Sequence, residues 1–382
     1  MKIAFITDAI YPFNLGGSEI RNNEIAKRLV KKGHNVHIYG IKSWKGGDII
    51  KIDGVTIHGI STRKIYNKKG KRNVTDFLIL TLKNFLELLN EKYDIIDVAS
   101  FNYFQCYSMR LVSLIKKNSL IFTWHQYLGD YLIGYFGKIK GICGMILEFM
   151  STKLSKNNIA VSNFVKSELI NKKVKEKNIK VVYNGADIKL INKIKIKRKE
   201  FDLIFVGRIN YQKNLKLLVE AINLLKKEML NVKICIVGEG EERKNLSALI
   251  QKYGLEKNFY FTGAVKDKKR VFEFMKKSKI FVLPSLLEGF PLTIVEANAC
   301  GLPIISTKTK HNNTSEYIKQ NENGVLVAPS TKEFADAICS LLKNDKLRKK
   351  ISVAGIEKAK SLDWDKITNE QEKYYLDVLK ND

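Results

Sequence analysis

The sequence predicts an α/β protein made of two Rossmann-like parallel-sheet domains, and three observations carry that prediction. Apolar strand-like runs alternate with helical segments along nearly the whole chain. The alternation comes in two blocks, separated by a lysine-rich stretch at Ile188–Glu200. The length, 382 residues, suits two domains better than one or three. Strands that alternate with helices become parallel strands joined by crossover helices, with both faces of the sheet covered.

In the first block the expected strands are Lys2–Thr7, Asn35–Gly40, Val55–Gly59, Ile95–Ala99, Leu120–Trp124, Ile159–Ser162 and Lys180–Tyr183. Helices such as Ser18–Lys32 and Val74–Glu91 lie between them. The second block gives Asp202–Val206, Lys233–Val237, Phe259–Thr262, Ile280–Leu283, Pro303–Ser306 and Val325–Val327. The expected domains are 1–190 and 201–362, followed by a terminal helix at about 363–382. Ligands of such sheets bind at the carboxyl ends of the strands, which directs attention to a cleft between the two domains.

Composition narrows the function classes. Met1–Thr7 runs straight into a polar turn and is too short for the apolar core of a signal peptide. The five cysteines are scattered with no CxxC pair, which argues against a disulfide framework or zinc site and for a reducing, cytoplasmic setting. Net charge is +28, and residues 1–190 hold 31 basic against 15 acidic side chains. That excess suits an anionic surface or acidic partner; it also fits lysine-filled solvated faces. Leu128–Met150 is apolar but too interrupted to span a membrane, and reads either as a buried connector or as an interfacial segment. The run Arg63–Arg72 could add attraction to anionic headgroups.

The most informative segment is Ser285–Glu296. A strand ending at Leu283 is stopped by Pro284, a loop holds Glu288, and a helix from about Leu292 to Cys300 carries Glu296. Backbone N–H groups at a helix start, here those of Phe290, Leu292 and Thr293 around Pro291, which has no N–H of its own, form a place for phosphate. A nearby carboxylate can accept both hydroxyls of a ribose or sugar diol. The same residues also fit a solvated Glu288 and a Glu296 that merely favours a helix N-terminus. Elsewhere, Gly16-Gly17 sits between the first strand and first helix, with Ser18 as a candidate cap. Arg208 and Lys213 follow the first strand of the second block, spaced so that both could reach a pyrophosphate. His125 alone among the five histidines ends a strand at the cleft edge; His34, His37 and His58 read as structural. Val237-Gly238-Glu239-Gly240 lacks the third glycine of a dinucleotide fingerprint and carries glutamates where pyrophosphate would approach, so an NAD site is not expected. Asp363-x-Asp365 starts the terminal helix, where aspartate is an ordinary N-cap rather than a metal site.

Taken in order, these motifs resemble the group 1, GT4-like glycosyltransferases of the GT-B fold: Gly16-Gly17-x-Glu19, His125, Gly207-Arg208-x4-Lys213-Asn214, and Glu288-x7-Glu296. The resemblance covers nearly the whole chain. It implies a retaining hexosyltransferase using a UDP- or GDP-sugar, with no cofactor and no metal. It implies that Arg208 and Lys213 neutralise the leaving diphosphate, that Glu296 holds the ribose, and that Glu288 and His125 contact the transferred sugar. Gly16 and Gly17 would close over the donor, Gly238 would lie beside the nucleotide, and the backbone near Val265 would meet the base. The terminal helix is expected to cross back to the first domain. Gln126 and the pair Asn312-Asn313 depart from the family pattern; where the family has Gly-Gly, asparagine could still adopt a left-handed turn. The expected acceptor is a glycan or polyprenol- or other lipid-linked sugar of a cell-envelope or surface polysaccharide. An anionic membrane surface is an expected partner, at the inner face of the cell membrane. Two alternatives stay open. One is a GT-B-fold nucleotide-sugar epimerase or hydrolase. The other is a nucleic-acid-binding protein, though no recognition module accompanies the charge and nucleic acid is not an expected partner.

Overall fold

The structure is a computed structural model that describes residues 1–62, 74–226, 228 and 231–381. Arg63–Arg72 lies outside the described residues. The chain divides into two compact units, Met1–Tyr183 with Asp365–Asp382, and Asn184–Trp364.

The first unit holds β1 (Lys2–Ile6), α1 (Gly17–Lys31), β2 (Asn35–Ile41), β3 (Ile49–Ile52), β4 (Val55–Ser61), α2 (Val74–Asn90) and β5 (Ile95–Ala99). These are followed by α3 (Tyr103–Lys116), β6 (Ser119–Trp124), α4 (Tyr131–Phe136), α5 (Lys138–Ser151), β7 (Asn157–Ala160), α6 (Asn163–Asn171) and β8 (Ile179–Val181). Its sheet runs β3-β4-β2-β1-β5-β6-β7-β8, parallel except for β3 against β4. Every residue of β5 and β6 is buried, as expected for parallel strands covered on both faces. The hairpin β3–β4 turns at Asp53-Gly54, both with positive φ (50° and 83°), the backbone that a two-residue I′ turn requires.

The second unit holds α7 (Ile188–Lys193), β9 (Phe201–Val206), α8 (Leu215–Leu225), β10 (Ile234–Val237), α9 (Arg243–Lys252), β11 (Phe259–Gly263), α10 (Lys268–Lys276) and β12 (Ser278–Leu283). Then come β13 (Leu287–Glu288), α11 (Leu292–Ala299), β14 (Ile304–Thr307), β15 (His311–Asn312), α12 (Thr314–Tyr317), β16 (Gly324–Val327), α13 (Thr331–Lys343) and α14 (Asp345–Lys360). Its main sheet is β11-β10-β9-β12-β14-β16, and β13 pairs with β15 apart from it. The last helix, α15 (Trp364–Asn381), belongs from Asp365 onward to the first unit. Ile188–Glu200 is not a bare linker: the division falls after Tyr183, and Asp187 caps α7 by accepting from Leu190 N at 2.9 Å.

A buried polar network fixes α15 to the first sheet. Arg21 of α1 is fully buried; it donates to Tyr183 O at 2.6 Å and to Gln371 Oε1 at 2.8 Å. Asp97 of β5 accepts from Thr123 Oγ1 at 2.6 Å and from the Tyr375 hydroxyl at 2.5 Å. Burial pulls the Arg21 guanidinium down to about 10 against the pull of Asp97, and pushes the Asp97 carboxyl up. At the rim, Arg28 Nε meets Asp365 at 2.7 Å, and Glu372 takes both Lys32 and His34. His37 and His58 bond to each other at 2.9 Å in the core beside Tyr39 and Tyr93, the structural placement expected of them.

Candidate donor-binding site

In the second unit, strand order places the carboxyl ends of β10, β9 and β12 side by side. After β9 the chain passes Gly207 and Arg208 and makes a single 3₁₀ turn, Tyr211–Lys213, whose start is capped by Asn210 Oδ1 accepting from Lys213 N at 3.1 Å. Leu286 N donates to Gln212 O at 2.8 Å, tying this turn to the loop after β12. The result brings Lys213 Nζ to 2.5 Å from Glu288 Oε1, with both side chains largely out of solvent. Arg208 faces Glu241 instead, its Nε 3.2 Å and its terminal nitrogen 3.1 Å from Oε2.

Glu288 is held by a strand pair that the sequence did not reveal. β13 lies against β15, and Asn313 N donates to Glu288 O at 3.0 Å. Neither asparagine at the family's Gly-Gly position turns left-handed: Asn312 is in a strand and Asn313 has φ −89°. Their buried side chains do the bracing. Asn312 Nδ2 donates to Ser285 O and Thr307 O at 2.9 and 2.7 Å, and Asn313 Nδ2 donates to Glu316 Oε2 at 2.9 Å and Gly289 O at 3.3 Å. Glycine would supply none of these donors, although Ser285 O would keep Thr307 Oγ1 at 2.6 Å.

Helix α11 starts directly behind this loop. Its N-cap, Pro291, supplies no side-chain acceptor to Leu292 and Thr293, so the helix start presents backbone donors and the positive dipole end. Glu296, one turn in, is 2% exposed. Its Oε1 takes Lys268 Nζ at 2.5 Å, whereas Oε2 is buried without a hydrogen-bond partner. A buried carboxylate oxygen left unpaired is costly. An orphan of this kind marks the place where a ligand donor would fit. Lys268 was not anticipated from sequence. It opens α10 just past Val265, after Asp267 caps that helix through Lys269 N at 2.9 Å, and only the fold brings it to Glu296.

The two glycines after β10 answer to packing. A Cβ on Gly238 would stand 1.9 Å from Gly207 O, and one on Gly240 2.1 Å from Ile209 O. Gly238 thus seats the β10 loop on the Arg208 loop, and Gly238 N reaches Gly263 O at 2.9 Å, two residues before Val265. Arg243 lies over the Phe261 ring, 3.3 Å from its centroid.

In the first unit, Gly16 is the N-cap of α1 and Gly17 its first residue. Ser18 is therefore inside the helix and does not cap it; its hydroxyl donates to Glu19 Oε2 at 3.0 Å. His125 follows β6, buried, stacked on Phe101 with centroids 5.4 Å apart, and its Nε2 has no partner. Burial first, then the Arg21 charge, pushes its pKa down to about 3. The ring is neutral at physiological pH and can accept or donate one hydrogen bond without carrying charge. The unfolded chain protonates the same ring near 6.5, so this contribution to stability is lost as pH falls from 6.5 towards 3. Wild type should lose about 2 kcal/mol relative to His125→Asn between pH 8 and pH 5, read by urea unfolding at each pH. Among the described residues no group of three or more His, Cys, Asp or Glu side chains is placed to hold a metal.

Two family models match the chain in succession: Glycosyltransferase Family 4 over residues 15–190 and Glycosyl transferases group 1 over residues 187–358. The chain belongs to the group 1, GT4-like glycosyltransferases. It is 29% identical over 343 residues to the capsular polysaccharide biosynthesis glycosyltransferase CapH of Staphylococcus aureus, spanning 87% of this chain and 89% of that one. It is also 29% identical over 207 residues, 53% of this chain and 55% of the other, to a Campylobacter jejuni enzyme. That enzyme is named N-acetylgalactosamine-N,N'-diacetylbacillosaminyl-diphospho-undecaprenol 4-alpha-N-acetylgalactosaminyltransferase. Among solved structures, Anabaena HepE in complex with UDP superposes with a TM-score of 0.75 at 19% identity, covering 98% of this chain and 99% of that one. The fold is GT-B, with two Rossmann-like domains, and this glycosyltransferase carries its candidate donor residues Lys213, Glu288 and Glu296 in the second of them.

Proposed function

We propose that the protein moves a hexose with retention from a UDP- or GDP-sugar to a glycan or lipid-linked acceptor in cell-envelope or surface polysaccharide assembly, working at the inner face of the membrane. The observation that carries this reading is Glu296: a buried carboxylate with one oxygen bound to Lys268 and the other without a partner. It sits one turn inside a helix whose first N–H groups lack a side-chain cap. Ribose hydroxyls suit the orphan oxygen, and the diphosphate suits the helix start. Arg208 and Lys213 then act on charge that grows as the sugar–phosphate bond breaks, which favours the transition state over bound donor. In that state Lys213 shares its charge between Glu288 and the phosphate. The CapH relative supports a polysaccharide role, HepE supports a UDP donor, and the Campylobacter enzyme's name supports a diphospho-undecaprenol acceptor.

The test is proton NMR of the product formed from an α-linked donor chosen from a panel of UDP- and GDP-sugars. The expected product keeps the α configuration, and turnover survives EDTA because the two cations supply the charge. An inverted product overturns retention. Isomerised donor, or free sugar with no transfer to any acceptor, supports the epimerase or hydrolase reading. Loss of turnover on chelation, restored by Mg²⁺, overturns the metal-free site.

A further inference from the structure

In the first unit, right-handed crossovers put α2, α3 and α5 on one face of the sheet, with α3 in contact with both α2 and α5. Each helix buries one side and leaves a large apolar stripe on the other. On α2 the stripe is Leu78, Leu82 and Leu86, at four-residue spacing. On α3 it is Leu111, Leu114 and Ile115. On α5 it is Ile139, Ile142, Ile146, Phe149 and Met150, positions that fall on one side of a helix. Leu82 is 60% exposed, Ile115 62% and Ile139 81%. Among the described residues, more than half of the exposed large apolar side chains stand on these three helices, whereas the remainder are scattered. Exposed apolar stripes on three neighbouring helices mark an interaction site.

Charge indicates the occupant. Between Asp97 and Glu148, which covers α3 and α5, the only acidic residue is Asp130, against Arg110, Lys116, Lys117, Lys138 and Lys140; α2 carries Asp76 and Glu87 against Lys83, so the basic excess sits on α3 and α5. Glu148 itself is buried and satisfied by Tyr103, Leu128 N and Gly129 N. On α5, Lys138 and Lys140 flank the apolar stripe on opposite sides. The run Arg63–Arg72 immediately precedes α2 in sequence. A second copy of this chain packed isologously on the same face would set one basic rim against another. An anionic lipid surface accepts the apolar side chains between its headgroups and pairs with the lysines around them.

We propose that the outer face of α2, α3 and α5 is the surface by which this enzyme lies on an anionic bilayer. The proposal rests on the peripheral location argued above and supplies the surface that performs it. Neither Leu128–Met150 nor the basic run suffices alone, because six of the eleven apolar side chains named stand on α2 and α3.

The test is cosedimentation of the full-length protein with vesicles of phosphatidylcholine alone or with one third phosphatidylglycerol, at low and high salt. Wild type should bind the anionic vesicles and release in salt, as screening shortens to about 8 Å near 0.15 M. Leu82→Glu with Ile146→Glu should abolish binding, with an unchanged melting midpoint showing that the fold is kept. Lys138→Gln with Lys140→Gln should weaken binding roughly fivefold per charge removed. If wild type binds neither vesicle, the peripheral location itself fails. If wild type binds and the Glu variants bind equally well, the location stands and this surface is overturned. If the Glu variants instead convert a dimer to a monomer in sedimentation velocity while vesicle binding is unchanged, the face is a self-association surface and the proposal falls. Donor hydrolysis on the same samples reports the transfer reading separately, because none of these residues belongs to the donor site.

Discussion

Lys213→Ala should lower turnover by about 10²–10³ while changing donor affinity far less. The estimate is that for removing one preorganised charge from a site where negative charge develops. The geometry explains why the loss falls on the transition state. Without Lys213, the carboxylate of Glu288 keeps its position through β13 and the Asn313 N–H. The diphosphate would then leave beside a bare carboxylate rather than an ion pair. Because Glu288 is nearly buried, losing its partner at 2.5 Å also costs stability. The double variant Lys213→Met/Glu288→Gln separates the two effects: it should recover stability and remain slow. Steady-state kinetics alongside urea unfolding reads both. Near-wild-type turnover in Lys213→Ala would return this residue to an ordinary surface ion pair.

The second large effect is expected on the fold. Arg21→Ala should destabilise the first unit by roughly 3–5 kcal/mol, since it leaves Asp97 buried without its countercharge, and should lower the melting midpoint by about 10 °C. Gln371 loses the donor to its Oε1, and Tyr183 O loses its own. Those two bonds join α1, the end of the first unit's main segment and α15. Arg21→Met with Asp97→Asn should recover much of the loss. Differential scanning calorimetry of the three variants measures it, and a midpoint within 2 °C of wild type for Arg21→Ala, about the effect of a surface change, would show that the network contributes little.

Most of the sheet was legible because parallel strands buried on both faces leave unmistakable apolar runs; Ile95–Ala99 is found where the sequence placed it. Strands that do not bury a run were missed. β13 and β15 are two residues each, too short to show a period, yet they hold Glu288. β3 was missed although Asp53-Gly54 between alternating apolar residues is a hairpin signal that was there to be read. The lysine-rich stretch puts the end of the first domain at residue 190, where the two family models meet, whereas the packing divides after Tyr183; composition reports solvation and does not show that Asp187 starts a helix there. Arg208, Lys213, Glu288 and Glu296 could be singled out as candidates from the residue types at strand ends and helix starts, and the fold brings Lys213 to Glu288 while Arg208 pairs with Glu241. Lys268 could not, since its pairing with Glu296 exists only once the fold brings the start of α10 to α11. The two asparagines were noticed as a departure, but for their backbone rather than for the side-chain amides that brace the loop.

The central claim is that Glu296 receives the ribose of a nucleotide-diphosphate sugar in the second unit. Isothermal titration of wild type and Glu296→Ala with UDP and GDP tests it most directly. Wild type should bind one of the two with a single-site isotherm. Glu296→Ala should bind it about ten- to a hundredfold more weakly, the worth of about 1.5–3 kcal/mol for hydrogen bonds to a charged group. Equal affinity in the variant, or no binding of either nucleotide by the folded wild type, would contradict the account.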